Sequence, residues 1–244
     1  MSDSRLGIVI DGEASLGSSR DGSVGFVVVR STFLNPPRAA AARRMAERVR
    51  NAHAGATLIP YAWHYLTHEP GDGIEVGSNR SLGQTDHGHL RGKGSAQAWE
   101  VTKICAEAME ARHVVIRTPP SFSPGSLSRR RLTSFIEQLG EGQPRLIWEP
   151  EGLWTPADAA AFSAPLGIEI MARAFGMSGQ LLELEGASWL RIGGGKDARL
   201  RSSQAEVLAY ELEDRGLANA NIAFEGPRAL ANLRTFARAQ ADLL

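Results

Sequence analysis

The sequence contains one cysteine, Cys105, among 244 residues, so no intrachain disulfide framework can form. It has no apolar run of about 18 residues and no signal-type N-terminal segment, so neither a membrane span nor export is expected. It carries no net charge, because 27 basic side chains balance 27 acidic ones. That balance argues against broad contact with nucleic acid or an anionic membrane. H-E-x-x-H, paired-cysteine, Walker and G-x-G-x-x-G patterns are absent, and the six histidines complete no recognisable ligand set. These gaps predict a cytoplasmic chain with no metal site and no cofactor. They leave a small molecule as the expected partner, and the oligomeric state is open.

What is present suffices for a large core. Apolar residues make up 43% of the chain and charged residues 22%. The length suits a β/α barrel, which needs about 250 residues. Short β-rich runs recur at Leu6–Ile10, Gly25–Val29, Thr57–Ala62, His113–Arg117, Arg145–Glu149, Ile168–Ala172, Ser188–Ile192 and Asn221–Phe224. Most are continuously apolar, as strands buried on both faces of a parallel sheet are. Helical spacing fills the gaps, over Arg38–Arg50, Ala98–Arg112, Ser128–Leu139 and Pro227–Ala241. In the second of these, Val101, Ile104, Cys105, Ala108 and Met109 make one stripe, which predicts a buried thiol. Thr155-Pro156-Ala157-Asp158 and Ser203-Gln204-Ala205-Glu206 read as capped helix starts.

The alternation predicts an α/β fold, a (β/α)8 TIM barrel over residues 1–244, with an open doubly wound sheet as the runner-up. The first β/α unit is abbreviated, since about a dozen residues join its strands, too few for the usual crossover helix. The apolar run Leu181–Leu184 has no assigned place. Thr67–Gln97 reads as one long polar loop, either a lid or an excursion.

Function in such a barrel gathers past the C-terminal ends of the strands. Standing there are Asp11, Arg30 with Thr32, Tyr61 with Trp63 and His64, Arg117 with Thr118, Glu149, Arg173, Arg191 and Glu225. A guanidinium at a strand end can grip an anion in two places, or it can simply neutralise Glu149 or Glu225. The expected ligand-binding set is Arg191, Arg117, Arg173, Tyr61, Trp63, His89, Arg91 and Lys196. Lys196 follows Gly193-Gly194-Gly195, whose backbone N–H groups can turn toward an anion, though a plain turn reads equally well. Glu149 and Glu225 are the candidate acid/base pair. His64, His68, His87 and His89 are read as loop anchors and packing groups. Ser121 lies outside any nucleophile-elbow pattern and is not read as a nucleophile, while Pro119-Pro120 fixes a sharp strand exit. The resulting expectation is a small anionic or polar ligand bound at the C-terminal mouth without turnover. The alternative is a small-molecule enzyme using Glu149 as acid or base and Arg191 as a clamp.

Several segments together resemble the DUF72, or YecE-like, family from about Phe26 onward. They are Ser31-Thr32-Phe33 with Pro36-Pro37, Ala62-Trp63 with Thr67-His68, Gly88-His89-Leu90-Arg91, Ala98-Trp99-Glu100, Thr118-Pro119-Pro120-Ser121-Phe122 and Trp148-Glu149-Pro150. The resemblance implies a β/α barrel and supplies no reaction, because the family has none assigned. The chain departs from the family pattern at Val28, Leu34, Tyr61, Glu151, Ala172 or Arg173, Gly193 and Glu225, and keeps Glu149 and Arg191. A divergent member that binds without catalysis is what this mixture implies.

Overall fold

A computed structural model describes residues 5–12, 16–17, 23–74, 82, 86–175, 181–193 and 199–243. Eight strands are described: β1 (Leu6–Ile10), β2 (Phe26–Val29), β3 (Thr57–Pro60), β4 (His113–Arg117), β5 (Arg145–Glu149), β6 (Glu169–Arg173), β7 (Trp189–Ile192) and β8 (Asn221–Phe224). They form one parallel sheet in the order β3-β2-β1-β8-β7-β6-β5-β4. Its two edges meet through a parallel bridge between Tyr61 and Val115, where the Ala62 N–H donates to the Val115 carbonyl at 2.8 Å. The sheet is therefore a barrel, and the open-sheet alternative is excluded.

The continuous apolar strands serve two cores because successive side chains face opposite ways. Ile8, Val27, Leu58, Ile116, Trp148, Ile170, Leu190 and Phe224 point outward into the layer shared with the helices. Val9, Phe26, Val28, Ile59, Tyr61, Val115, Ile147, Met171, Trp189 and Ala223 fill the interior. At its base Phe26 and Trp189 meet edge to face at 5.1 Å, and the Trp189 indole N–H donates to Glu169 at 2.7 Å. The barrel is thus packed solid, and polar groups are left to its upper rim.

Seven helices cover it among the described residues: α1 (Ser31–Leu34), α2 (Ala39–Ala52), α3 (Gly92–Ala108), α4 (Ser126–Leu139), α5 (Pro156–Ser163), α6 (Ser202–Asp214) and α7 (Ala229–Ala241). Helix α5 starts as read, with Thr155 Oγ1 accepting from the Asp158 N–H at 3.1 Å. Helix α6 begins earlier than read, at Ser202, and its box is closed by Gln204 accepting from the Arg201 N–H at 3.0 Å. Cys105 is buried, as its stripe implied, but Ile104 is 51% exposed and off that face. The larger correction is α3, which starts six residues ahead of the expected helix. Gly92 and Gly94 look like loop composition, yet a Cβ on either would stand 2.7 Å from the Asp86 carbonyl oxygen. Glycine is used there for close approach, and Gly92 also takes a φ of +77°. The long connection accordingly ends at Arg91.

Strand β6 runs one residue later than expected, which brings Arg173 onto the strand beside Arg191. Leu181 forms an isolated antiparallel bridge with Phe175, which gives the unassigned apolar run its place. Most of the first crossover lies outside the described residues, and β1 and β2 pair in parallel regardless.

A Cβ at Gly7 of β1 would overlap both the ring and the carbonyl of Phe26 on β2. Gly7→Ala should therefore cost about 1–3 kcal/mol by overpacking, read as a lower urea midpoint at an unchanged slope. An unshifted midpoint would show that β1 and β2 do not approach this closely.

Candidate functional site

The side chains pointing inward at the strand ends form a charged layer above the apolar interior. At its centre lies Arg191 of β7, whose side chain is 2% exposed. Its Nη2 stands 2.8 Å from Glu149 Oε1 and its Nε 3.5 Å from Glu225 Oε2, while Nη1 donates to the Tyr61 hydroxyl at 3.3 Å. Tyr61 in turn donates to Glu149 Oε2 at 2.8 Å. Neither Nε nor Nη2 of Arg191 is aligned on an acceptor as a hydrogen bond, so its hold on the two carboxylates is Coulombic. Burial disfavours the charge on Arg191, and Glu149, Tyr61 and Glu225 more than reverse this, holding its pKa above the ordinary guanidinium value. Burial first, and the Glu149 carboxylate second, push the Tyr61 phenol far up, so it is a fixed neutral donor.

The layer continues outward in pairs. Arg30 grips Asp11 with Nε and Nη2 at 2.6 and 2.7 Å, and reaches Glu225 at 3.0 Å with Nη1. Arg117 holds Glu151 at 2.6 and 3.0 Å and lies over the Phe33 ring at 5.4 Å. Arg173 stands 3.8 Å from the same Glu151 and is 58% exposed. Arg30, Arg117, Arg173 and Arg191 thus face Asp11, Glu149, Glu151 and Glu225, and the layer is neutral.

A pocket of about 760 Å³ opens over the ends of β5 and β6. Glu149, Glu151, Arg173 and Glu183 supply its charged groups, and Met171, Trp154 and Leu181 are among its apolar ones. Arg191 and Arg117 do not line it; they lie behind two of its three glutamates, Glu149 and Glu151 respectively.

On the rim, beside Pro120 of this pocket, two loops meet. Ser121 Oγ donates to Asp72 Oδ1 at 2.6 Å and lies 2.9 Å from His89 Nε2. The other ring nitrogen, Nδ1, faces Arg131 Nη1 at 3.2 Å and Glu69 Oε1 at 3.4 Å. Arg91 pairs with Glu69 and Asp86 at 2.8 and 3.3 Å. His89 and Leu90 carry φ values of +47° and +58°, a left-handed pair costing about 1–3 kcal/mol per residue outside glycine. Backbone bonds from His89 to Thr67 and from Leu90 to Leu66, both 2.9 Å, hold that conformation.

The residues read from the sequence therefore separate into three groups. Glu149, Glu225, Arg191, Arg117, Arg173 and Tyr61 come together in the mouth. His89 and Arg91 stand on the rim. Trp63 is 2% exposed and belongs to the core shared with the helices, its backbone N–H donating to Thr102 Oγ1 of α3 at 3.0 Å; it lies past the end of β3, where the strand's alternation no longer sets which way a side chain faces. Lys196 lies outside the described residues. Reading strand ends alone missed Asp72, Glu69 and Glu151, which belong to connections and carry no periodic signal. Among the described residues no group of three His, Cys, Asp or Glu side chains could hold a metal ion, and no helix is long and apolar enough to cross a membrane.

Solved structures place this architecture among TIM barrels, and DUF72 proteins are among those it matches. A DUF72 family protein from Enterococcus faecalis matches with a TM-score of 0.65 and 9% identity, over 97% of this chain and 95% of that one. Another, from Thermotoga maritima, matches at 0.55 and 12% identity, over 89% and 85%. A D-psicose 3-epimerase from Clostridium cellulolyticum, solved with D-tagatose, matches at 0.54 and 11% identity, over 98% and 96%. No family model and no curated protein matches the sequence. At these identities the likeness is one of fold.

Two outcomes follow from this geometry. Arg191→Met leaves Glu149 buried without its counter-charge and should destabilise the fold by about 3–5 kcal/mol in chemical denaturation. Adding Glu149→Gln to it should restore most of the loss; a double variant no better than the single one would contradict a Coulombic pairing. His68 is buried beside Arg117, and burial first, then that guanidinium, lowers its pKa from 6.5 to about 3. It stays neutral in the fold while the unfolded chain protonates, so folding stability drains away as pH falls from about 6.5 toward 3. His68→Gln should lose less stability than the parent between pH 7 and pH 5, and equal losses would count against this assignment.

Proposed function

We propose that the chain binds a small, neutral, polar molecule in the pocket over β5 and β6, with Glu149 as an anchor rather than an acid or base. The observation that carries this reading is the state of Glu149. One oxygen accepts from Tyr61 at 2.8 Å and the other lies 2.8 Å from Arg191, at the floor of a pocket of about 760 Å³. A carboxylate held at both oxygens is pre-organised to accept a further hydrogen bond and is poorly placed to shuttle a proton. Glu225, the expected partner in acid/base work, is engaged by Arg30 and Arg191.

The charge of the pocket selects between the two ligand types the sequence suggested. Three carboxylates and one guanidinium line it, and the guanidinium groups of Arg191 and Arg117 are already committed to two of the three. An anion entering there would meet acceptors. A hydroxylated molecule would find acceptors in Glu149, Glu151 and Glu183 and a donor in Arg173. The balanced charge of the chain and of the mouth also weighs against nucleic acid as a partner. The cytoplasm is the compartment we assign, a reading supported by the single cysteine, which is free and buried.

Calorimetric titration with a panel of neutral polyols, D-tagatose included, against small dicarboxylates tests this. Binding within the polyol set is expected, weakened about tenfold or more by Arg173→Ala, the usual scale for losing a charge-assisted hydrogen bond. Dicarboxylates binding where polyols do not would sink the neutral-ligand reading, and turnover of a bound polyol abolished by Glu149→Gln would sink the anchor role.

A further inference from the structure

The rim cluster takes no part in the pocket reading, and its proton directions can be worked out. Two groups compete for His89 Nδ1, Arg131 Nη1 at 3.2 Å and Glu69 Oε1 at 3.4 Å. The guanidinium, which can only donate, is the nearer and the one in hydrogen-bond geometry, and Glu69 is already held by Arg91 at 2.8 Å, so we take Nδ1 as an acceptor. The ring proton then sits on Nε2, aimed at Ser121 Oγ at 2.9 Å. Ser121 passes its own proton toward Asp72 Oδ1 at 2.6 Å. The result is a directed chain, Arg131 to His89 to Ser121 to Asp72, drawn from four separate stretches of sequence. A hydroxyl that donates to a carboxylate while accepting from an imidazole N–H is polarised toward alkoxide from both sides.

Three further observations set this chain apart from an ordinary loop anchor. Ser121 is exposed, whereas the side chains that polarise it are sheltered, His89 and Asp72 each at 13%. His89 is held in a left-handed conformation that only the surrounding backbone bonds enforce, and such strain concentrates at working sites. Its ring is also fixed edge-on to Phe122, the residue after the serine, at 5.7 Å.

The geometry points to Ser121 as a nucleophile for acyl transfer, with Asp72 as its base and a small unhindered carboxylic ester as its substrate class. Ser121 Oγ bonds to the ester carbonyl carbon as its proton moves to Asp72. The carbon–oxygen bond to the leaving alcohol breaks, and that alcohol departs with the proton from Asp72. Water then gives a proton to Asp72 and its oxygen to the acyl carbon; the bond to Oγ breaks, and the proton returns to Ser121 as the carboxylic acid leaves. As Oγ bonds to carbon it ceases to accept from His89, and the Nε2–H so released turns to the former carbonyl oxygen, which takes the negative charge. None of this needs the pocket over β5 and β6 to be occupied.

The test uses the full chain, a fluorophosphonate probe and p-nitrophenyl acetate. Mass spectrometry of the labelled protein should place the phosphonate on Ser121 at near one equivalent, with the neighbouring Ser123 and Ser126 unmodified. Ser121→Ala, an exposed and minor truncation, should abolish labelling and remove the initial burst of p-nitrophenolate. Asp72→Asn should slow labelling at least tenfold, and His89→Gln should slow it while circular dichroism shows both variants folded. Should the latter two unfold, the parent still decides: labelling spread evenly over exposed serines, or absent, overturns the proposal. Unchanged labelling in folded Asp72→Asn overturns it as well.

Discussion

Arg191 and Glu149 stand 2.8 Å apart at the top of an apolar barrel, nearly shut off from water. Burying either charge alone costs several kcal/mol, so each is tolerable there because of the other. Their pairing dictates the rest of the layer. Tyr61 must be a neutral donor to complete Glu149, and its phenol is held protonated by burial first and by the same carboxylate second. Glu225 must lean on Arg30 as well as Arg191, and Arg30 must then balance Asp11. A neutral mouth is the outcome of solving one desolvation problem outward from its centre.

That solution divides labour between strands and loops. The strand ends supply a fixed, charge-balanced floor, with Glu149 and Arg173 facing the pocket, and the connections add further polar groups around it. Asp72, Ser121, His89, Glu151 and Glu183 all stand on such segments. Rigid elements hold them in turn: Ser95, in the first turn of α3, accepts from the Gly88 N–H at 2.9 Å, just ahead of the strained His89. A long connection pinned at its base by a helix can hold costly backbone angles that a free loop would relax.

The sequence made the barrel legible because two cores write the same signal. Ile147 faces inward and Trp148 outward, and both must be apolar, so each strand reads as a continuous run. Register followed at the mouth, where Arg117, Glu149 and Arg191 sit at interior positions of their strands. Trp63 misled because apolar bulk does not say on which side of the wall it packs. The start of α3 misled because glycine demanded by the Asp86 carbonyl looks identical to glycine placed for flexibility. The Ser121 relay was illegible for a different reason: its members come from four stretches, and only the folded chain sets their distances.

The barrel closes at a seam unlike its other joints. Every other pair of neighbouring strands is joined by a ladder, whereas β3 and β4 share the single bridge at Tyr61 and Val115. Pro60 ends β3 and has no N–H to extend the joint. The residue that closes the seam is also the one whose hydroxyl holds Glu149. Breathing motions that part β3 from β4 must withdraw that hydroxyl, so opening of the wall and loss of order at the mouth are one cooperative event. Amide hydrogens at the C-terminal ends of β3 and β4 would then exchange with solvent together with those of the charged layer, as a single unit distinct from the lower ladders of the barrel.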